Sequence, residues 1–187
     1  MNVTSEVLNG VLEIQPRVLE DVRGSFVKPF QKSVFDAVGL DSDFREHFYT
    51  MSNKDVIRAM HFQLPPLDHH KFVYCLQGHV WDVVVDLRAE SATFGEWAAF
   101  DLTSEKLNAL YLPKGFGHGY AVLSDSAIVS YSVTEEFDPT LDTGIAFDSF
   151  GIPWPVDDPI LSDKDKNLLA FADWVSPFDS RTGWDSK

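Results

Sequence analysis

The sequence predicts an all-β fold, a double-sheet jelly roll of cupin type with a few short helices. Short apolar stretches with period-two alternation recur along the chain, separated by turn signals about every 8–12 residues. That spacing belongs to a sandwich or barrel and not to βαβ units. Fifteen Phe, five Trp and five Tyr supply the bulk to fill such a barrel and still line a ligand cavity. Helical patterning is confined to two short segments.

Taken in order, Val7–Leu12 and Ile14–Leu19 read as strands broken near Asn9-Gly10, and the turn at Asp21–Phe26 leads into a strand Ser25–Phe30. Val34, Phe35 and Val38 followed by Gly39 predict a short helix within Gln31–Leu40. A polar loop at Asp41–Glu46 precedes a strand at His47–Met51 and an apolar run from Val56. Phe72–Leu76, Gln77-Gly78 and His79–Leu87 form a hairpin pattern. Strands follow at Trp97–Leu102 and Asn108–Leu112. Pro113–Tyr120 reads as a tight glycine-rich turn entering a strand Tyr120–Leu123, and Ala127–Thr134 alternates as a half-buried strand. The proline-rich remainder predicts loops with a short helix over Asp163–Phe171. There Ser162 stands as N-cap and Asp165 at the third position of a capping box.

At 187 residues the chain is expected to form one domain, 1–187, with about the last ten residues as a loose tail. No apolar run approaches the roughly 20 residues of a membrane helix, and Met1–Glu6 lacks the features of a signal peptide. One cysteine, Cys75, cannot pair within the chain, which fits a reducing cytoplasm and a small buried hydrophobe. The net charge of −14 argues against nucleic acid as a partner. It leaves room for a single phosphorylated ligand held by a few convergent cations, because salt screens distant charges within ~8–10 Å.

The stretch Val56-Ile57-Arg58-Ala59-Met60-His61-Phe62-Gln63, closed by Lys71, concentrates an arginine, a histidine and a lysine. On a regular strand Arg58 and His61, three residues apart, would face opposite sides unless a bulge re-aims one of them. The group reads as a site for an anionic small molecule whose chemistry needs a base. A satisfied histidine with two snorkelling cations is the plainer alternative. A cupin metal site usually needs a His-x-His pair, and none of the six histidines forms one. His118 lies among Gly115, Gly117 and Gly119, which suits either a ligand-site turn or a structural one. Tyr131, with Val129 and Val133 on its face, is by default a core tyrosine with a bonded hydroxyl. Asp165 serves either the capping box alone or as the carboxylate that orients a histidine.

Several motifs occur in order: Asp21-x-Arg23-Gly24-x-Phe26, Ile57-Arg58-x-x-His61-Phe62-Gln63, Lys71-x-Val73, Gly78-x-Val80-x-Asp82, Pro113-x-Gly115-Phe116-x-His118-Gly119, Tyr131 and Leu161-Ser162-x-Lys164-Asp165. Together they closely resemble the dTDP-4-dehydrorhamnose 3,5-epimerase family across roughly residues 10–170. The resemblance implies a metal-free, cofactor-free cupin that acts on a nucleotide-diphosphate 4-keto sugar. It implies a homodimer with exchanged N-terminal strands. By position, His61 matches the general base, Asp165 the carboxylate paired with it, and Tyr131 the acid on the opposite face. Lys71 and His118 match residues lining the sugar and its keto group. Arg23, Arg58 and Lys164 match ligand contacts near the diphosphate and nucleotide, and Phe26 and Gln63 fall within the same substrate-binding motifs. Asp142 takes the place of a glutamate that closes over the substrate. The chain departs from the family at Ala59, where glycine is usual, and at Lys28, Glu46, Phe48 and Phe137. These changes cluster at the nucleotide end and leave the base open among dTDP, CDP, GDP and UDP.

Overall fold

A computed structural model describes residues 1–179. Thirteen strands make up its frame. β1 (Asn2–Val7) and β2 (Val11–Gln15) form a hairpin, and β3 (Arg17–Asp21) and β4 (Gly24–Lys28) form another. A single-turn helix α1 (Lys32–Ala37) precedes β5 (Glu46–Asn53), β6 (Ile57–Gln63), β7 (Lys71–Gln77) and β8 (His79–Asp86). Then come β9 (Trp97–Thr103), β10 (Ala109–Leu112), β11 (Phe116–Val122), β12 (Ser126–Val133) and β13 (Asp142–Gly144). They assemble into a six-stranded sheet, β1-β2-β10-β7-β12-β5, and a five-stranded sheet, β13-β6-β11-β8-β9. β3 and β4 pair only with each other. The two facing sheets are the jelly roll that the strand pattern predicts.

Alternation decides which side chains go between the sheets. On β7, Val73 and Cys75 enter the inter-sheet core, while Phe72 and Tyr74 face outward beneath α1 with Phe35 and Tyr111. On β8, Val80 and Val84 point inward; Val83 and Val85 point outward, where the C-terminal segment covers them with Ile145, Ile152 and Phe178. The described chain is therefore packed up to Phe178, and the remainder of the expected tail lies outside the described residues.

Local departures from the sequence reading have physical causes. The first strand ends at Val7 because Leu8, Asn9 and Gly10 all take positive φ to turn the hairpin. The region around His118 is strand and not turn. Of its three glycines only Gly115 adopts the left-handed conformation, at φ +81. Gly119 is required for close approach instead: a Cβ there would lie 2.4 Å from Ala59 Cβ and 2.7 Å from Arg58 O. The expected helix over Asp163–Phe171 is two isolated 3-10 turns, Asp165–Asn167 and Phe171–Asp173. Between them Leu169 is drawn into an extended bridge with Ile145, and a strand-like backbone cannot also continue a helix.

Candidate active site

The inter-sheet space opens at one end into a cavity of about 310 Å³. Its walls come from β5 (Glu46, Phe48, Thr50), β6 (Arg58, His61, Phe62, Gln63), β7 (Lys71), β11 (His118, Tyr120) and β12 (Tyr131, Val133). His69, Glu135, Phe137 and Asp142 complete the rim.

Arg58 and His61 both face this cavity because β6 is bulged. His118 pairs with His61 and Tyr120 with Arg58, so between them the single residue Gly119 of β11 opposes two of β6, Ala59 and Met60. The extra residue shifts the alternation. Ile57 and Ala59 point to the outer core before it, Met60 and Phe62 after it, and Arg58, His61 and Gln63 all turn inward.

His61 Nε2 lies 2.6 Å from Asp165 Oδ1. An ionised carboxylate can only accept, so Nε2 carries the hydrogen and Nδ1 is left as the basic nitrogen. Asp165 is buried, and its position is fixed on both sides. Its amide donates to Ser162 Oγ at 3.0 Å, the capping contact read from the sequence. Upstream, Ile160 bridges to Val56, next to the start of β6. Lys71 donates from Nζ to the backbone oxygen of His61 at 3.1 Å. Burial pulls its ammonium down to about 8, against the opposing attraction of Asp142 and Asp82.

A second histidine–carboxylate pair lies deeper. His118 Nε2 is 2.9 Å from Asp82 Oδ2, with both side chains buried. Burial raises the Asp82 carboxyl, while His118 and Lys71 pull it back. Tyr131 is 7% exposed. Burial, reinforced by Tyr120 and Asp82, keeps its phenol well above the ordinary value of 10, with Arg58 offsetting part of the rise. Its ring stands edge-on to His118 at 5.8 Å and lies flat against Phe48 at 4.7 Å.

The remaining anticipated residues divide into four groups. Arg58 donates to Ser52 Oγ at 3.0 Å, and Ser52 and Thr50 both bond the Tyr120 hydroxyl. Gln63 is consumed structurally: its amide nitrogen reaches Leu67 O and Glu136 O, and its oxygen accepts the Asp138 amide. Asp142 and Lys164 form an ion pair at the rim. Arg23 and Phe26, in contrast, sit on the detached β3–β4 hairpin, are exposed and do not line this chain's cavity. Among the described residues no three His, Cys, Asp or Glu side chains converge as a metal site.

Sequence reasoning missed Asp82, Thr50 and Tyr120. Asp82 had a signal: it occupies an inward position between Val80 and Val84, where an acid needs a buried partner. Glu46 and Phe48 appeared only as departures. Glu46 accepts the backbone amide of Phe137 at 2.7 Å and so pins an aromatic ring at the rim.

Jelly-roll walls closing on a cavity that holds two histidine–carboxylate pairs make this a cupin-type ligand site. The family model for dTDP-4-dehydrorhamnose 3,5-epimerase matches residues 5–173, and the chain belongs to that family. The Shigella flexneri dTDP-4-dehydrorhamnose 3,5-epimerase is 40% identical over 92% of this chain and 97% of its own length. A dTDP-4-dehydrorhamnose 3-epimerase from Streptomyces niveus is 34% identical over 89% and 82%. The crystal structure of the Bacillus anthracis 3,5-epimerase with TDP and PPi bound superposes with a TM-score of 0.88. It is 35% identical and covers 90% of this chain and 98% of that one.

Proposed function

We propose that this chain epimerises a dTDP-linked 4-keto-6-deoxy sugar at C3, alone or together with C5. The supporting observation is the convergence of His61, Lys71, His118 and Tyr131 on one cavity, with His61 backed by Asp165. A proton α to a ketone is removable only because the resulting enolate spreads its charge onto oxygen. His61 takes that proton through Nδ1, and Asp165 stabilises the imidazolium that forms. Lys71 and His118 supply positive charge or a donor to the enolate oxygen. Tyr131 then delivers a proton to the opposite face of the same carbon, which inverts it. No electrons enter or leave, so the step itself calls for no redox cofactor.

Arg58, Asp142 and Lys164 are assigned to substrate binding along the cavity and its rim, while Gln63 serves it only by holding the loops at Leu67 and Asp138. Two relatives named as a 3,5-epimerase and a 3-epimerase favour dTDP as the carrier and leave both outcomes at the sugar compatible with the chain. In the same proposal the enzyme is a cytoplasmic homodimer. Each chain contributes its β3–β4 hairpin, and with it Arg23 and Phe26, to the partner's cavity. Supporting this, the hairpin exposes Leu19, Val22 and Phe26.

The test is incubation with dTDP-4-keto-6-deoxyglucose in heavy water, followed by mass and NMR analysis of the sugar. Deuterium at C3, or at C3 and C5, with inversion is expected. Tight binding with no deuterium uptake would overturn the catalytic assignment and leave a sugar-nucleotide-binding protein.

A further inference from the structure

From the stacking of their rings, we infer that Phe48 is a positioning residue for Tyr131, holding the phenol in the orientation that delivers a proton to the far face of the sugar. The inference rests on the epimerase reading above and adds a residue to it.

Phe48 and Tyr131 are direct cross-strand partners on β5 and β12, so their Cβ atoms rise side by side from one face of the sheet. Their rings lie 4.7 Å apart at an interplanar angle of 10°, a parallel stack. The His118 ring closes the edge of Tyr131 at 72°. A tyrosine held on its face by one ring and on its edge by another has little torsional freedom left, and its hydroxyl is confined to one direction. Phe48 itself remains 42% exposed and lines the cavity. It therefore acts as a cover, apolar toward solvent, that keeps water off the acid. A side chain without a ring at this position would have no face to stack on Tyr131. The contact is thus a property of this chain's own side chain.

Holding the acid matters for only half of the reaction. Proton removal and return by His61 need nothing from Phe48, whereas inversion needs the phenol at the right place and angle. Phe48→Ala should therefore separate two rates measured on one sample in heavy water. Inversion is expected to fall about 10- to 100-fold in kcat, the scale of a small misplacement of a reacting group. At saturating substrate, deuterium exchange with retained configuration should stay close to wild type, whatever change in KM follows from trimming a residue that lines the cavity. Phe48→Tyr, which keeps a stacking ring, should restore inversion. A second readout is independent of turnover. The five tyrosines can be resolved by ring-labelled NMR, with Tyr131→Phe identifying the Tyr131 signal. Loss of the stacked ring should move that signal in Phe48→Ala and not in Phe48→Tyr.

Equal losses of exchange and inversion would overturn the inference, as would a rise in KM alone or an unmoved Tyr131 signal in a folded Phe48→Ala protein. Absence of exchange in the wild type would instead overturn the epimerase reading, and the NMR arm would still decide whether Phe48 holds Tyr131.

Discussion

In the proposed mechanism, single residues in the cavity serve opposite halves of one proton transfer. His61 has its Nε2 occupied by Asp165 and its second nitrogen available, while Tyr131 is kept protonated by burial. His61→Asn should abolish both solvent exchange and epimerisation, a loss of about 10²–10⁴-fold for a general base. Tyr131→Phe should cost inversion on the same scale yet leave measurable exchange, because His61 can return the proton it took. Comparable modest losses in both variants would reduce the two residues to pocket lining. Lys71 supports a prediction in pH. Its ammonium is charged below about 8 and neutral above, so positive charge near the enolate oxygen disappears on the alkaline side. The kcat/KM profile should fall above about pH 8. In Lys71→Arg, whose guanidinium stays charged throughout, that limb should move beyond pH 10, even if the plateau is lower. An unchanged alkaline limb in Lys71→Arg would assign the titration to another group. The types of these residues were legible in the chain, but their roles came from the family resemblance. The His118–Asp82 pairing is set by strand register, and His61–Asp165, 104 positions apart, by where the C-terminal segment docks on β6; a single sequence displays neither.

At the level of elements, the bulge in β6 makes the site possible, and two glycines on its neighbours make the bulge possible. A Cβ at Gly119 would meet Ala59 and Arg58 backbone atoms, and one at Gly144 would lie 2.7 Å from Met60 O and 3.1 Å from the His61 ring. Neither glycine takes a positive φ, so the constraint is space alone. Gly119→Ala should therefore destabilise the fold by about 1–3 kcal/mol, the usual range for overpacking. Adding Ala59→Gly should recover only part of that loss, since the Arg58 oxygen remains 2.7 Å from the new Cβ. Thermal unfolding of the two variants checks both statements, and a neutral Gly119→Ala would refute the close-packing account. This is also where reading the chain fell short. Three glycines around His118 suggested a turn because glycine signals both positive φ and close approach, and composition does not separate the two. The strands with plain alternation, β7, β8 and β12, were legible. The bulge appeared only as a condition on Arg58 and His61 sharing a face. The short helix after Ser162 failed at Leu169, where a bridge partner 24 residues upstream competes for the backbone.

For the molecule as a whole, the jelly roll was legible from strand count and turn spacing, whereas the fate of its β3–β4 hairpin depends on what surrounds it. β3 and β4 pair only with each other, and a lone two-stranded hairpin is at best marginally stable in water. Its tip leaves Val22 fully exposed and Phe26 60% exposed, a cost that a second copy would remove by covering them. Sedimentation at micromolar concentration should accordingly give twice the 21.1 kDa chain mass. Exchange of hairpins makes a stronger prediction than dimerisation alone. If Arg23 serves the partner's cavity, Arg23→Ala and His61→Asn chains, each nearly inactive by itself, should complement when unfolded together and refolded. In a mixed dimer, one cavity combines the intact His61 of one chain with the intact Arg23 of the other, while the second cavity carries both defects. Random pairing makes half of the dimers mixed, each with one working cavity, so activity should recover to about a quarter of wild type. If Arg23 instead served its own chain's cavity, every site in every dimer would keep a defect. Mixing would then recover nothing, and that result would remove the exchanged hairpin from the proposal while leaving the chemistry of His61 and Tyr131 untouched.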